Sequence, residues 1–421
     1  MNTKIKILAV VFISFLQYQT ANCQDYPYDI PTYNFIKYNS NKLHFFTDSS
    51  SFDRLYFKID QLITFGKGQV NVLQIGASHT QADIFTGQLR SRLQTFYPGL
   101  NAGRGFVFPY RMINTNNPRN YYTQHSGNWL VCRNVEWNKT CSLGASGIAA
   151  TTSDSAATLS IFLRNETSEK YDFNKVRIMM EPGANNYDVM VTNINVNASY
   201  IRNDSLGYID IELDNYCTEL HLKLQKSDSL QNKFTLFGIN LNTPDPGFVI
   251  NAFGVNGASL GSYLRCNFFI PQLKLMNPDW IIIALGINDG YTKNFNPEIY
   301  EQNYEQLIKN ILEANPNVAI TLVVPNDSYL YRKRPNTAIA KEQIVIEKLA
   351  AKYGCSMWSM YDVMGGYNSS VQWYNAGLMA RDKVHFSPVG YNLLANLFFN
   401  AFLKSYDNHI EKNVVKLLNS K

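Results

Sequence analysis

The sequence predicts an α/β fold in three layers, a parallel sheet covered by helices on both faces, interrupted by an all-β sandwich. Three observations carry this reading. Residues 280–285 form the unbroken apolar run Trp-Ile-Ile-Ile-Ala-Leu, which suits a strand buried on both faces of a parallel sheet. Similar runs alternate with amphipathic stretches toward both ends of the chain. Between about residues 114 and 242 the texture changes to seven short segments rich in β-branched and aromatic residues, separated by Asn, Asp, Gly and Ser clusters, with no useful helical period.

Taken in order, residues 1–23 read as a secretory signal, with Lys4 and Lys6 charged, residues 7–16 apolar and Ala21-Asn22-Cys23 as the exit. The protein is therefore expected to be exported, periplasmic or secreted. Residues 24–51 read as an extended, Tyr- and Asn-rich lead-in. The body begins with its first part, 52–113: a helix with Leu55, Ile59, Leu62 and Ile63 on one face, a strand over 70–75, and a helix over 83–96 carrying Ile84, Leu89 and Leu93. The β-sandwich occupies 114–246, its strands over 129–135, 157–163, 176–180, 187–191, 208–213, 219–224 and 234–241. The second part of the body, 247–421, alternates the strand 280–285, a helix 297–314, a strand 319–324, a helix 337–353 and a short strand 355–360. Its last helix is capped by Ser387, starts on Pro388 and turns Leu393, Leu394, Leu397, Phe398, Ala401 and Phe402 to one face.

Composition excludes several classes of function. A formal charge of +5 over 421 residues, two units of it from Lys4 and Lys6, is too close to neutral for a nucleic-acid partner. After the signal no apolar stretch reaches the ~20 residues that cross a bilayer. Cys132, Cys141, Cys217, Cys266 and Cys355 have no C-x-x-C spacing, and the six histidines form no H-x-x-x-H pair, so no structural or catalytic zinc is expected. Cys132 and Cys141 are spaced for a short-loop disulfide in an exported domain.

Four segments carry chemistry. Ser78, in Gly76-Ala77-Ser78-His79-Thr80-Gln81-Ala82-Asp83, follows the strand 70–75 at a turn into a helix, where the hydroxyl meets the carboxyl edge of the sheet and the helix start favours negative charge. In Asn251-Ala252-Phe253-Gly254-Val255-Asn256-Gly257-Ala258-Ser259, Gly257, ahead of Gly254, is placed to aim a backbone N–H at an oxyanion. Gly286-Ile287-Asn288-Asp289 follows a buried strand; the Asn288 side chain is a second donor, and Asp289 serves the turn. Asp382-Lys383-Val384-His385 precedes the last helix, at a spacing that lets the carboxylate orient the imidazole. Each alone is an ordinary turn. A nucleophile, an oriented base and two oxyanion donors in one chain point to acyl transfer.

These four blocks resemble those of the SGNH (GDSL-type) hydrolase superfamily. More narrowly, Gly76-Ala77-Ser78-His79-Thr80-Gln81-Ala82-Asp83, the segment Gly103-Arg104-Gly105-Phe106-Val107-Phe108-Pro109-Tyr110 and the inserted β-domain are similar to the peptidoglycan O-acetylesterases, whose insert resembles a family 35 carbohydrate-binding module. The resemblance implies a flavodoxin-like three-layer fold with an inserted jelly-roll or sandwich domain. It also implies an exported serine esterase acting on an acetylated glycan, with Ser78, His385 and Asp382 catalytic and the oxyanion held by the N–H groups of Ser78 and Gly257 and by Asn288. The same residues would serve an esterase of another acetylated polysaccharide or an O-acetyltransferase. Ala77 stands where the family usually has Asp, which leaves open a degenerate, glycan-binding protein.

One further segment concerns substrate. The loop after the strand 319–324 reads Tyr329-Leu330-Tyr331-Arg332-Lys333-Arg334, aromatic faces for stacking on sugar rings beside a basic cluster for an anionic polymer.

Overall fold

The computed structural model describes residues 30–47, 50–164 and 170–419, with side chains to 415. The signal expected over 1–23 lies outside the described residues. The body runs through His44–Phe45 (β1), Ser50–Phe65 (α1), Gln69–Gly76 (β2), Ser78–Gln81 (α2) and Phe85–Thr95 (α3). After the β-rich middle it resumes with Gly247–Gly254 (β3), Leu260–Leu264 (α4), Phe269–Met276 (α5), Trp280–Ala284 (β4) and Pro297–Ala314 (α6). Ala319–Val324 (β5), Ala338–Tyr353 (α7), Ser356–Ser359 (β6), Met360–Met364 (α8), a short helix at Ser370–Asn375 and the long helix Pro388–Asn419 (α9) follow.

The sheet order is β1-β6-β5-β4-β2-β3. All neighbours are parallel except the edge strand β1. Alternation along β4 shows how both faces are covered. The Trp280 ring stacks on Phe398 and Phe402 of α9, with centroids 5.8 and 5.0 Å away. Ile281 and Ile283, pointing to the other face, join the core that contains Tyr304 and Leu307 of α6. Helices α1, α3 and α9 pack together on the first face, while α4, α5, α6 and α7 pack among themselves on the second. Register aligns the carboxyl ends: Gly254 and Ala284 both pair with Gly76, and Val324 pairs with Ser359. The loops after β2, β3, β4 and β5 therefore share one edge, the edge at which open α/β sheets bind ligands.

Three local readings needed correction. The lead-in is not merely extended, because His44–Phe45 pairs antiparallel with β6 and closes the sheet edge. The helix expected over 83–96 is broken at Asp83, whose φ of 51° ends one short helix and lets Phe85–Thr95 start in a new direction. The segment from residue 251 is not all loop, since its first residues complete β3. Buried Asn251 obscured that strand; its amide donates to Asn71 Oδ1 at 2.7 Å and accepts from the Phe106 N–H at 2.9 Å.

The middle of the chain forms two antiparallel sheets packed on a shared core. Gly103–Val107, Leu130–Arg133, Ile148–Thr152, Phe173–Met180, Ala198–Asn203, Tyr208–Cys217 and Phe234–Asn242 make the larger one. Tyr121–His125, Thr158–Leu163, Asp188–Val191 and Glu219–Gln225 make the smaller. The larger sheet reaches back before residue 114, because Gly103–Val107 pairs with Phe234–Asn242. Cys132 and Cys141 are disulfide-bonded, with Cα atoms 6.6 Å apart. No helix among the described residues is long and apolar enough to cross a membrane.

Where the serine turn meets the β-rich part, a carboxylate is buried between two guanidiniums. Asp83 lies 3.1 Å from Arg90 Nη2 and 2.6 Å from Arg104 Nη2, and accepts from Asn120 Nδ2 at 2.7 Å. The three charged side chains are 1–2% exposed. Burial opposes the charged carboxyl, but the two guanidiniums and these hydrogen bonds hold Asp83 below the ordinary carboxylate range. Removing the carboxylate would leave two buried cations unpaired. Asp83→Ala is therefore expected to lower unfolding free energy by about 3–5 kcal/mol in denaturant titration, and a loss under about 1 kcal/mol would contradict this role.

Candidate active site

Ser78 opens α2 directly after β2. Its neighbour Ala77 (φ −113°, ψ −133°) is neither helical nor regular strand, and the Thr80 and Gln81 N–H groups close the turn on the Ala77 carbonyl at 3.1 and 2.8 Å. The tightness depends on two glycines. A Cβ on Gly76 would lie 2.1 Å from Thr80 Oγ1, and one on Gly254 would lie 2.2 Å from the Gln81 nitrogen. Gly254 is thus the place where β3 passes under α2, not an oxyanion donor. Gly257 differs: its φ is +83° and a Cβ there would meet nothing, so glycine is needed for backbone conformation alone. Gly257 lines the cleft beside Ser78, and its N–H makes no bond to any described residue.

His385 Nε2 lies 2.9 Å from Ser78 Oγ, and His385 Nδ1 lies 2.8 Å from Asp382 Oδ2. Asp382 Oδ1 accepts the N–H groups of Val384 and His385 at 2.9 and 3.0 Å. Lys383 (φ 52°) provides the bend that folds the carboxylate back. Partial burial raises the Asp382 pKa, but the bonds from the His385 ring and the two N–H groups outweigh it and hold the carboxyl well below its ordinary value. An ionised Asp382 fixes the Nδ1–H tautomer of His385, leaving Nε2 free to accept the serine proton.

The Asn288 side chain lines the same cleft and donates to the Ala258 carbonyl at 2.9 Å, which leaves its second N–H for a ligand. Asp289, read from sequence as a turn residue, does more: it accepts the Leu260 N–H at 3.1 Å and so clamps the loop after β4 to the start of α4. Burial raises its carboxyl to about 7. The Tyr263 hydroxyl donates to the carbonyls of Gly76 and Phe253, tying β2 to β3 at their ends. Thr115 and Asn116, at the entry to the β-rich part, complete the frame. Asn256 Nδ2 donates to Asn116 Oδ1 at 2.7 Å, Gln81 Nε2 to Thr115 Oγ1 at 3.1 Å, and the Asn256 N–H to Gln81 Oε1 at 2.8 Å.

The open cleft around Ser78 has a volume of about 660 Å³, and Asn116, Asn256, Tyr291 and Arg332 bring polar groups to it. Of the basic cluster only Arg332 lines it. The hairpin of Tyr329–Leu330 and Arg334–Pro335 turns through two consecutive left-handed residues, Tyr331 (φ 52°) and Arg332 (φ 62°). The Tyr331 N–H donates to the Tyr291 hydroxyl at 2.8 Å, which holds that turn over the cleft. Lys333 and Arg334 are not among the cleft residues, and Tyr329 faces Asn368 and Lys383 instead.

Sequence reasoning missed His79 and Tyr391. The His79 ring sits 5.2 Å from the His385 ring, and its Nδ1 is 2.6 Å from the Tyr391 hydroxyl. Burial first, then the neighbouring His385, lowers the His79 pKa to about 3. His79 therefore packs as a neutral ring that keeps the His385 imidazole in place. Its position beside the serine was the sole sequence signal.

Residues 233–393 match the GDSL-like lipase/acylhydrolase family, a stretch containing Gly257, Asn288, Asp382 and His385 but not Ser78. The family match and the fold together support a carboxylic-ester hydrolase, and the fold is of the SGNH, or GDSL, type. The particular solved structure it resembles over most of its length is a peptidoglycan O-acetylesterase, aligned over 87% of this chain and 99% of its own at 22% identity, with a TM-score of 0.73. A lipase/acylhydrolase from Enterococcus faecalis aligns over 36% of this chain and 74% of its own (23% identity, TM-score 0.30). An acetyl xylan esterase aligns over 37% and 81% (19% identity, TM-score 0.31). No curated protein sequence matches the chain.

A histidine held neutral in the fold but free to protonate when unfolded makes stability depend on pH. Because the folded pKa is depressed from 6.5 to about 3, the contribution is complete above pH 6.5 and is lost as pH falls toward the folded value. Unfolding free energy is expected to drop by at most about 1.4 kcal/mol per pH unit from this group below that point. His79→Gln should flatten this slope in denaturant titrations between pH 6.5 and 5. An unchanged slope would show that His79 is already charged in the fold.

Proposed function

We propose that the protein is an exported serine esterase that removes O-acetyl groups from an anionic glycan, peptidoglycan, without a cofactor. The observation that carries the reading is the continuous Ser78–His385–Asp382 line opening on a polar cleft with Arg332 at its side. Ser78 Oγ attacks the ester carbonyl as His385 Nε2 takes its proton. The N–H groups of Ser78 and Gly257 and the free N–H of Asn288 hold the tetrahedral oxyanion. His385 returns the proton to the sugar oxygen, which leaves as the alcohol. Water then attacks the acyl-enzyme, giving its proton to His385, and acetate departs as the serine is restored. Peptidoglycan as substrate is supported by Arg332, a fixed cation for its carboxylates, and by the resemblance to the O-acetylesterase structure. In this proposal the inserted β-sandwich over 114–246 serves as the glycan-holding domain.

An inactive, purely glycan-binding chain would have no need to keep a serine within hydrogen-bonding reach of an oriented imidazole. Ser78→Ala and His385→Ala are each expected to abolish p-nitrophenyl acetate hydrolysis while the melting temperature is kept. Asn288→Ala is expected to lower kcat about 10²-fold with KM little changed. Wild-type rates in Ser78→Ala would end the catalytic reading.

Substrate is tested separately. Arg332→Gln should weaken acetate release from O-acetylated peptidoglycan, more so at low salt, and leave p-nitrophenyl acetate hydrolysis unchanged. Lys333→Gln should change neither. Equal loss on both substrates in Arg332→Gln would make that residue a support of the hairpin instead of a substrate contact.

A further inference from the structure

Two spaces meet at Ser78. One is the open polar cleft. The other is a narrow cavity that runs inward between the sheet edge and helices α3 and α9, touching Ser78 and Asn288 and walled by Ala77, Phe85, Leu285, Val323, Met360 and Leu394. We propose that this inner cavity is the acyl pocket and that it admits acyl groups longer than acetyl, up to butyryl. The inference rests on the esterase reading of the same site.

The two sides of an ester make different demands. A sugar brings hydroxyls, which must stay hydrogen-bonded when they leave water. Only the open cleft supplies such partners, in Asn116, Asn256, Tyr291 and Arg332. An acyl tail asks only for apolar surface, and each buried methylene favours binding. Most polar groups that line the inner cavity are spent elsewhere; the exception is His79 Nε2, buried with no hydrogen-bond partner among the described residues. Asn326 Nδ2 donates to the carbonyls of Asp327 and Val384, and Gln74 is bonded at both ends to Thr80 and Thr86. Ala77 matters most, because it contributes only a methyl group immediately beside the nucleophile. A carboxylate at that position would put charge into the wall.

Size sets the limit. The cavity volume is about 40 Å³. At roughly 10–15 Å³ for each water-sized group, that holds about three. The methyl of an acetyl ester fills one place, and the three-carbon tail of a butyryl ester fills all. With the oxyanion toward Gly257 and Asn288 and the leaving oxygen toward His385, the tail of the tetrahedral intermediate is left to point inward.

The test is a chain-length series of p-nitrophenyl esters, from acetate through propionate and butyrate to hexanoate and octanoate, read as kcat/KM on the purified protein. Butyrate is expected to equal or exceed acetate, and octanoate to fall about tenfold or more below it. A fall of about tenfold from acetate to butyrate would overturn the pocket. Met360→Ala, which lengthens the cavity, should move the optimum toward hexanoate. Val323→Phe, which puts a larger side chain into its wall, should lower butyrate turnover about tenfold relative to acetate. Melting curves decide which variants are folded, and an unchanged profile in folded Met360→Ala overturns the pocket even if Val323→Phe does not fold. Acetate-only hydrolysis that disappears in Ser78→Ala would keep the esterase reading and remove this one. No hydrolysis of any ester would remove both.

Discussion

Asp83 is buried against two guanidiniums that belong to different parts of the chain, and the geometry of the site depends on that contact. Arg90 lies on α3 and Arg104 on the strand that joins the larger sheet of the sandwich, while Asn120 approaches from the sandwich entry. A buried ion pair of this kind gains little over a well-packed apolar core, but breaking it is severe, so it acts more as a register device than as a source of stability. It fixes where the serine turn ends, in the left-handed residue that separates α2 from α3. The two halves of the Gly76-to-Asp83 motif are thereby explained together: one end shapes the turn that carries Ser78 and the other anchors it to the sandwich.

The side of the cleft proposed to hold the oxyanion is built by the same logic of cross-bracing. Its backbone comes from loops after β3 and β4, which neither helix nor strand holds rigid. Asp289 on the Leu260 N–H, Asn288 on the Ala258 carbonyl, and Asn256 on Asn116 tie these loops to each other and to the sandwich entry. Pre-set donors cost no reorganisation when charge develops, which is what a serine hydrolase requires of them. The sandwich is thus a structural partner of the site through Thr115 and Asn116, whatever else its outer surfaces do. Ala77 fits the same picture: with only a methyl group beside Ser78, Ser78 stays within hydrogen-bonding distance of His385 and the inner cavity is lined mainly by apolar groups.

Much of this was legible in the sequence because the relevant signals are local. Three of the four blocks lie at strand ends, where a polar residue after an apolar run stands out, and the fourth directly precedes α9; composition marks seven of the eleven strands described in the two sandwich sheets but misses Gly103–Val107, Tyr121–His125, Ile148–Thr152 and Ala198–Asn203. What was hidden depends on tertiary context. β1 has two residues and so no period to read. β3 carries buried Asn251, whose partners Asn71 and Phe106 come from distant segments. Asp83 is left-handed and ion-paired with Arg90 and with the distant Arg104, a contact that the residues around it do not announce. Among Arg332, Lys333 and Arg334, only the two left-handed turn residues decide which one meets the cleft, and composition does not encode that choice. His79 was visible only as a neighbour of Ser78, because its role arises from packing against His385 and Tyr391.

The central claim is that Ser78 is a nucleophile activated by His385. The most direct measurement is covalent trapping: brief reaction of the native protein with a fluorophosphonate, proteolysis, and mass mapping of the modified peptide, with His385→Ala run in parallel. The expected result is a single adduct on Ser78, formed much more slowly in His385→Ala. An adduct on another residue, or labelling of Ser78 at the same rate without His385, would contradict it.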